Sequence, residues 1–169
     1  VWANGSFFQL APVFGIDKDL GTKKCIGKYV NPVTEGTFAM EDTPNIGESM
    51  VENPGVYCKS ANVSVLAANG KTPLITLNQF GAGKAMYLSS FRVSKESTRF
   101  LMRALLTLLG KEDKVRDYIC DNLYTECAYY KEIDKLVVIN NSGDTQKTVI
   151  KTAKGDVTVE LAPFATKIL

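Results

Sequence analysis

Histidine is absent from this sequence of 169 residues. Without it no Ser-His or Cys-His nucleophile system can be completed inside the chain, and a zinc site would need all four cysteines as ligands. Those cysteines, Cys25, Cys58, Cys120 and Cys127, are widely and irregularly spaced, with no C-x-x-C pair. The expectation is four reduced, mostly buried thiols and a cytoplasmic location. An excess of one charge is also lacking. Lys and Arg number 20 against 18 Asp and Glu, a net charge of +2, which gives no reason to invoke nucleic acid or an anionic membrane. No run is long and apolar enough to span a bilayer. No signal peptide is present, but the first residue is Val1 rather than Met. The chain is therefore read as a fragment or a processed product, and the missing signal carries little weight. Asn-x-Ser sequons at Asn4, Asn62 and Asn140 matter only in a secreted protein.

What is present is globular. Apolar residues make up 45% and charged residues 22%, enough for one large or two small domains at this length. The organising stretch is Thr72 to Gly110, which reads as strand, glycine turn, strand, loop and helix. Leu74, Ile75, Leu77 and Phe80 crowd the first strand. Gly81-Ala82-Gly83 supplies positions that tolerate positive φ, Gly83 among them. Ala85 to Leu88 is nearly continuously apolar, as in a strand covered on both faces. Ser94 is the expected N-cap, Glu96 sits in the first turn where the dipole favours an anion, and Gly110 is the expected residue past the C-terminus. Along the helix, Arg99, Arg103 and Thr107 recur every four residues as one polar stripe. The rest is dominated by Phe100, Leu101, Met102, Ala104, Leu105, Leu106, Leu108 and Leu109. That apolar arc is wider than a surface helix carries, so the helix is expected to pack on a sheet and on something further.

Elsewhere, Ser6 is read as the cap of a short helix through Phe7, Phe8, Leu10 and Ala11 that ends near Gly15. Ile16 to Tyr29 reads as an irregular exposed connection. Asn31 to Gly55, punctuated by Pro32, Pro44 and Pro54, reads as a long loop of the kind that carries function or meets a partner. Val63 to Ala67 is a strand leading through a turn into the central hairpin. Lys111 to Asp117 is a charged linker or helix tail. From Leu123 onward short strand signals recur: Leu123 to Tyr130, a buried Leu136 to Ile139, Thr148 to Lys151, Val157 to Leu161 and Ala165 to Leu169. This spacing suggests a small antiparallel sandwich.

Chemistry is harder to find. Gly81-Ala82-Gly83-Lys84 fails the phosphate-loop pattern, because Asn78 stands where the first glycine belongs and Ala85 replaces the magnesium-binding Ser or Thr; a hairpin turn is the better reading. The carboxylate pairs Glu41/Asp42, Glu112/Asp113 and Glu126/Asp134 lie in no recognisable apolar pocket. Tyr124 with Tyr130, or Tyr129 with Phe164, are the aromatic pairs a carbohydrate-binding module would need, and strand aromatics more often serve cross-strand packing. The expectation is that no complete active site, metal site or cofactor site lies in this chain. Trp2, Asn4 and Phe7 are the loop residues singled out for substrate contact.

The motifs Phe7-Phe8-Gln9-Leu10-Ala11-x-x-Phe14-Gly15-Ile16-Asp17-x-x-Leu20-Gly21 and Phe80-Gly81-x-Gly83-Lys84-Ala85-x-Tyr87-Leu88-Ser89 resemble the galacto-N-biose/lacto-N-biose phosphorylases and their galactosyl-rhamnose relatives. So do Ser94-x-Glu96-x-x-Arg99-x-Leu101-x-Arg103-Ala104-Leu105, Glu126-Cys127-Ala128-Tyr129-Tyr130 and Leu136-Val137-Val138-x-Asn140-Asn141-Ser142. The resemblance runs colinearly over essentially the whole chain. It implies the C-terminal half of an amidotransferase-like (flavodoxin-like) α/β domain over residues 1–112 and a small antiparallel β-sandwich over residues 113–169. Both would belong to an enzyme whose catalytic TIM barrel, with its general-acid Asp and phosphate-binding residues, lies outside this chain. Ser90-Phe91-Arg92-Val93 stands where amidotransferases carry His and Glu, so that chemistry would be lost. The implied partners are inorganic phosphate and a β-galactoside through the barrel, the barrel itself, the other half of the α/β domain, and further copies in a homo-oligomer. Two alternatives stay open: the trimerisation-type and C-terminal domains of a β-galactosidase, and a stand-alone carbohydrate-binding module.

Overall fold

A computed structural model describes residues 6–21 and 27–169. The chain divides into two compact units, Val1–Gly110 and Lys111–Leu169. Both are built on small antiparallel sheets with few helices.

The first unit is organised by strands β3 (Ser64–Asn69), β4 (Thr72–Phe80) and β5 (Gly83–Leu88), in the order β3-β4-β5. The strand carrying Val63 to Ala67 in the sequence reading begins at Ser64 and runs on to Asn69. Gly81 takes φ 56° in the two-residue turn between Phe80 and Gly83. The positive φ expected at Gly83 is at Gly81 instead, because Phe80 pairs with Gly83 and makes that glycine the first strand residue. β5 is also less enclosed than its composition implied. Among the described residues it pairs with β4 alone, and Ala85 to Leu88 are half-buried.

Each face of this sheet is covered by different elements. On one side lie helix α1 (Ala11–Phe14) and the ribbon of β1 (Ile16–Lys18) with β2 (Val56–Cys58), where Ile16, Val56, Cys58, Val63 and Val65 form a core joined by Phe8, Phe14 and Tyr87. The helix begins later than expected. Residues 7–10 form bends and turns, and the Asp17 carboxylate takes two of their amides: Oδ1 accepts from Phe7 N (2.8 Å) and Phe8 N (3.1 Å). Ile16 and Asp17 are buried in β1, so the connection from Ile16 is not wholly irregular or exposed. Gly15 ends α1 at φ 66°; a Cβ there would lie 2.5 Å from Val63 Cγ2, so glycine is required twice over.

The other face is covered by α2 (Lys95–Leu109) and by the Asn31–Gly55 segment, which contributes short 3-10 turns at Phe38–Met40 and Ile46–Ser49. Ala39, Met40, Ile46, Leu66, Leu74, Ile75, Phe100 and Ala104 form the core there. Full burial of a side chain such as Phe100 contributes about 2 kcal/mol. Ser94 caps α2 as its sequence implied: its Oγ accepts from Ser97 N, and Ser97 Oγ accepts from Ser94 N in return. Gly110 closes the helix at φ 61°.

The second unit stacks two three-stranded sheets. One has β6 (Ile119–Cys120), β9 (Gln146–Thr152) and β10 (Gly155–Leu161) in the order β10-β9-β6. The other has β7 (Thr125–Tyr130), β8 (Lys135–Asn140) and β11 (Thr166–Ile168) in the order β11-β8-β7. Cys120, Ile150, Val159 and Leu161 from the first meet Leu136 and Val138 from the second. β8 alternates, with Leu136 and Val138 inward and Ile139 exposed, so it is buried on one face rather than as a block. The outward faces differ: Lys147, Lys151 and Glu160 on one sheet, Ile139 and Ile168 on the other.

Candidate functional site

Two clefts of the first unit collect the residues that sequence reading singled out. The first, of about 380 Å³, lies between α1 and β5 and is lined by Phe7, Phe8, Leu10, Phe14, Ile16 and Tyr87. Phe7 meets Phe8 edge-on at 5.3 Å between ring centroids, Phe8 lies 6.4 Å from Tyr87, and Lys18 Nζ stands 5.8 Å from the Phe7 ring centre. Asp17 fixes this wall through the two amides above and accepts from Lys18 N as well. Burial pushes the Tyr87 phenol up from its usual range. Of the three loop residues chosen for substrate contact, Phe7 therefore rims a cleft; Trp2 and Asn4 lie outside the described residues. Asp17 was missed, although an acid directly after buried-type residues Gly15-Ile16 was the available signal.

The second cleft, of about 400 Å³, opens between the Asp42–Ser49 loop and the start of α2, with Asp42, Asn45, Arg92, Ser94 and Glu96 on its walls. Its chemistry is largely spent. Asp42 Oδ2 accepts from Arg103 Nε (2.8 Å), Arg103 Nη2 (2.5 Å) and Arg99 Nη1 (3.2 Å), and Glu41 meets Arg103 at 3.0 Å. Arg103 also lies over the Phe38 ring at 4.5 Å. The Glu41/Asp42 pair is thus an anchor for α2, not an acid–base couple. The helix's polar stripe faces inward: Arg103 is only 6% exposed and Thr107 5%.

The other pairs do not converge. Asp113 contacts Arg116 at 3.6 Å in a solvent-exposed turn. Glu126 points outward from β7, while Asp134 accepts from the Tyr129 hydroxyl at 2.6 Å. Tyr129 stacks on Tyr118 at 4.1 Å and a 5° interplanar angle, so it is packing; Phe164, Tyr124 and Tyr130 stay exposed. Lys84 Nζ donates to Thr107 O at 3.2 Å, capping the carbonyl end of α2, which fits the hairpin reading of the Gly81–Lys84 stretch. Among the described residues no group of three or more Cys, Asp or Glu is placed to hold a metal ion. Cys58, Cys120 and Cys127 are present as thiols, and burial raises the pKa of Cys58; Cys25 lies outside the described residues. Asn140 of the third sequon is buried, its Nδ2 donating to Asp144 O (2.7 Å) and Ala162 O (2.9 Å), its Oδ1 accepting from Ser142 N. That motif ties the β8–β9 turn to the end of β10.

Comparison with known proteins gives this arrangement its context. Residues 1–113 match the model of the lacto-N-biose phosphorylase central domain. The chain belongs to the lacto-N-biose phosphorylase family. Residues 118–169 match the model of that family's C-terminal domain. A D-galactosyl-β-1→4-L-rhamnose phosphorylase of Lachnoclostridium phytofermentans is 32% identical over 97% of this chain and 22% of its own length. A 1,3-β-galactosyl-N-acetylhexosamine phosphorylase of the same organism is 30% identical over 89% of this chain and 21% of its own. One from Bifidobacterium longum subsp. longum is 28% identical, over 89% and 24% respectively. The chain therefore spans about a fifth to a quarter of the length of these curated relatives. No helix among the described residues is long and apolar enough to cross a membrane.

Proposed function

We propose that this chain is the non-catalytic C-terminal portion of an inverting β-galactoside phosphorylase, and that it supports a TIM barrel carried by the rest of the polypeptide. The observation that carries this reading is the colinear match of both family domains, 1–113 and 118–169, to relatives named as phosphorylases and covered over only about a fifth of their length. The spending of Asp42 and Glu41 on arginines supports it from the chain's own side.

On this reading residues 1–112 are half of an amidotransferase-like α/β domain, residues 113–169 are the terminal β domain, and the enzyme is a cytoplasmic homo-oligomer. Phe7 and its aromatic cleft would border the mouth of the barrel. In the parent enzyme a phosphate oxygen attacks the anomeric carbon, the glycosidic C–O bond breaks, and one carboxylic acid protonates the leaving oxygen. A single displacement inverts configuration and yields α-galactose 1-phosphate. Phosphate is already an anion, so cationic residues that hold it in line replace the base of an inverting hydrolase.

The test is to incubate the full-length protein with galacto-N-biose, lacto-N-biose or galactosyl-rhamnose, with and without phosphate. Phosphate-dependent release of α-galactose 1-phosphate is expected, with no turnover by the 169-residue chain alone. Equal release of free galactose in both conditions would replace this reading with a β-galactosidase.

A further inference from the structure

Bulky side chains avoid positive φ, yet Phe164 takes φ 54° while its ring stays 72% exposed. Hydrogen bonds on both sides hold it there: Phe164 N donates to Ser142 O (3.0 Å), Ala165 N to Ala162 O (3.1 Å), and buried Asn140 Nδ2 to Ala162 O (2.9 Å). The ring lies beside Gly143, its edge 3.7 Å from where a Cβ would stand. Backbone strain spent on a ring that meets mostly solvent is the pattern of a binding position. Tyr124, 42% exposed, stands across the end of β8, and its carbonyl accepts from Asn141 N (2.8 Å). Phe164 leads toward β11 and Tyr124 into β7, so the order β11-β8-β7 puts them on opposite flanks of the 141–144 turn. Two strand spacings separate the flanks, about 10 Å. Asn141 and Asp144 are exposed in that turn, and among the described residues only their backbone groups are engaged.

We propose that Phe164, Tyr124, Asn141 and Asp144 form a saccharide-binding site at this end of the sandwich, with a β-galactoside as its ligand. The electron-rich face of an aromatic ring attracts the C–H face of a pyranose, and the amide and carboxylate beside it bond to the ring hydroxyls. Galactose suits such a platform because its axial O4 leaves one C–H face unbroken. A protein partner would call for a wider apolar patch than two rings set around a polar turn. The site binds sugar and does not react with it, and it lies wholly within the second unit. The choice of a galactoside among saccharides rests on the phosphorylase reading.

Saturation-transfer NMR of lacto-N-biose with the 169-residue chain, which holds no barrel on that reading, tests this. Transfer to the galactose C–H protons is expected, and Phe164→Gly should weaken binding by about tenfold or more. Phe164→Tyr, which keeps the ring, should retain it. Glycine relieves the positive φ, so Phe164→Gly should leave Tm unchanged or higher. No transfer from the wild-type chain, or equal transfer from Phe164→Gly, overturns the proposal. Binding lost together with a lowered Tm in Phe164→Gly, and lost again in Phe164→Tyr, makes the ring a structural prop and also overturns it. Phosphorolysis by the full-length protein is scored separately. Absent binding with phosphorolysis intact removes this site alone, and absent phosphorolysis with ring-dependent binding intact removes the phosphorylase reading alone.

Discussion

In the β6–β11 sandwich, Leu136 and Val138 of one sheet meet Ile150, Val159 and Leu161 of the other, while Ile139, Phe164 and Ile168 stay exposed. In the first unit β4 instead buries four consecutive residues, Pro73 to Thr76, and α2 places Arg103 inside while Leu101, Leu105 and Leu109 are exposed. The sandwich gathers the inward residues of both sheets into one core. The first unit buries Arg103 to fix one face of its helix and leaves the leucines of the other face exposed.

The largest expected effect lies on the closed side of this contrast. Ile150 is fully buried at the centre of a small core, and Ile150→Ala should cost about 4 kcal/mol through lost transfer energy and the cavity left behind. In 59 residues there is little surplus to absorb it. Denaturant unfolding followed by hydrogen exchange should show the β8 and β9 amides losing protection while those of β4 keep theirs. Simultaneous loss in β4 would show that the two units do not separate energetically.

Next comes the buried charge. Arg103→Ala leaves the Asp42 carboxylate with Arg99 alone and removes the contact to Phe38. Breaking a buried pair from one side is costly, here about 3 kcal/mol, reduced because Arg99 stays. Measured stability within error of wild type would reduce the inward stripe to decoration. This site also marks how far the sequence could be read. The four-residue recurrence of Arg99, Arg103 and Thr107 located a polar stripe, but periodicity gives the relative angle of two faces, never which one is inside. The answer depended on Asp42 and Glu41, sixty residues earlier, meeting the helix in space. The sandwich was more legible because strand alternation and turn residues are local. Its block-like Leu136 to Ile139 still misled, since Ile139 is apolar yet outward. The Phe7 cleft was half legible: the aromatic residues were visible, whereas Asp17's hold on their amides is a tertiary contact.

A smaller effect separates the two glycines of the central hairpin. Gly81 has φ 56°, so Gly81→Val should cost about 1–2 kcal/mol in backbone strain. Gly83 lies in β5, and the nearest atom to an added Cβ is Phe80 O at 3.8 Å, so Gly83→Val should be tolerated. Thermal denaturation of the two variants would decide it; equal destabilisation would mean that the β5 edge, rather than the turn, limits the hairpin.

The smallest effect concerns charge on the sandwich surface, where it is solvated rather than buried. The Tyr129 hydroxyl donates to Asp134 at 2.6 Å, and Lys154 Nζ stands 3.4 Å from the other carboxylate oxygen. Donation to the carboxylate raises the Tyr129 pKa, while the same hydrogen bond, followed by Lys154, lowers that of Asp134. The signs bracket a window. Asp134, depressed in the fold, contributes stability above the ordinary carboxylate value of about 3.9 and loses it as pH falls through its folded value. Tyr129, raised in the fold, contributes stability below the ordinary phenol value of about 10 and loses it as pH rises through its folded value. Asp134→Asn should therefore bring one phenol's titration back toward the ordinary range and flatten both limbs of the stability profile, by less than any buried substitution above. Absorbance at the tyrosinate band, followed through alkaline pH, reads the first effect directly. Superimposable curves for Asp134→Asn and wild type would show that the hydrogen bond does not persist in solution, leaving Tyr129 held by its stack on Tyr118 alone.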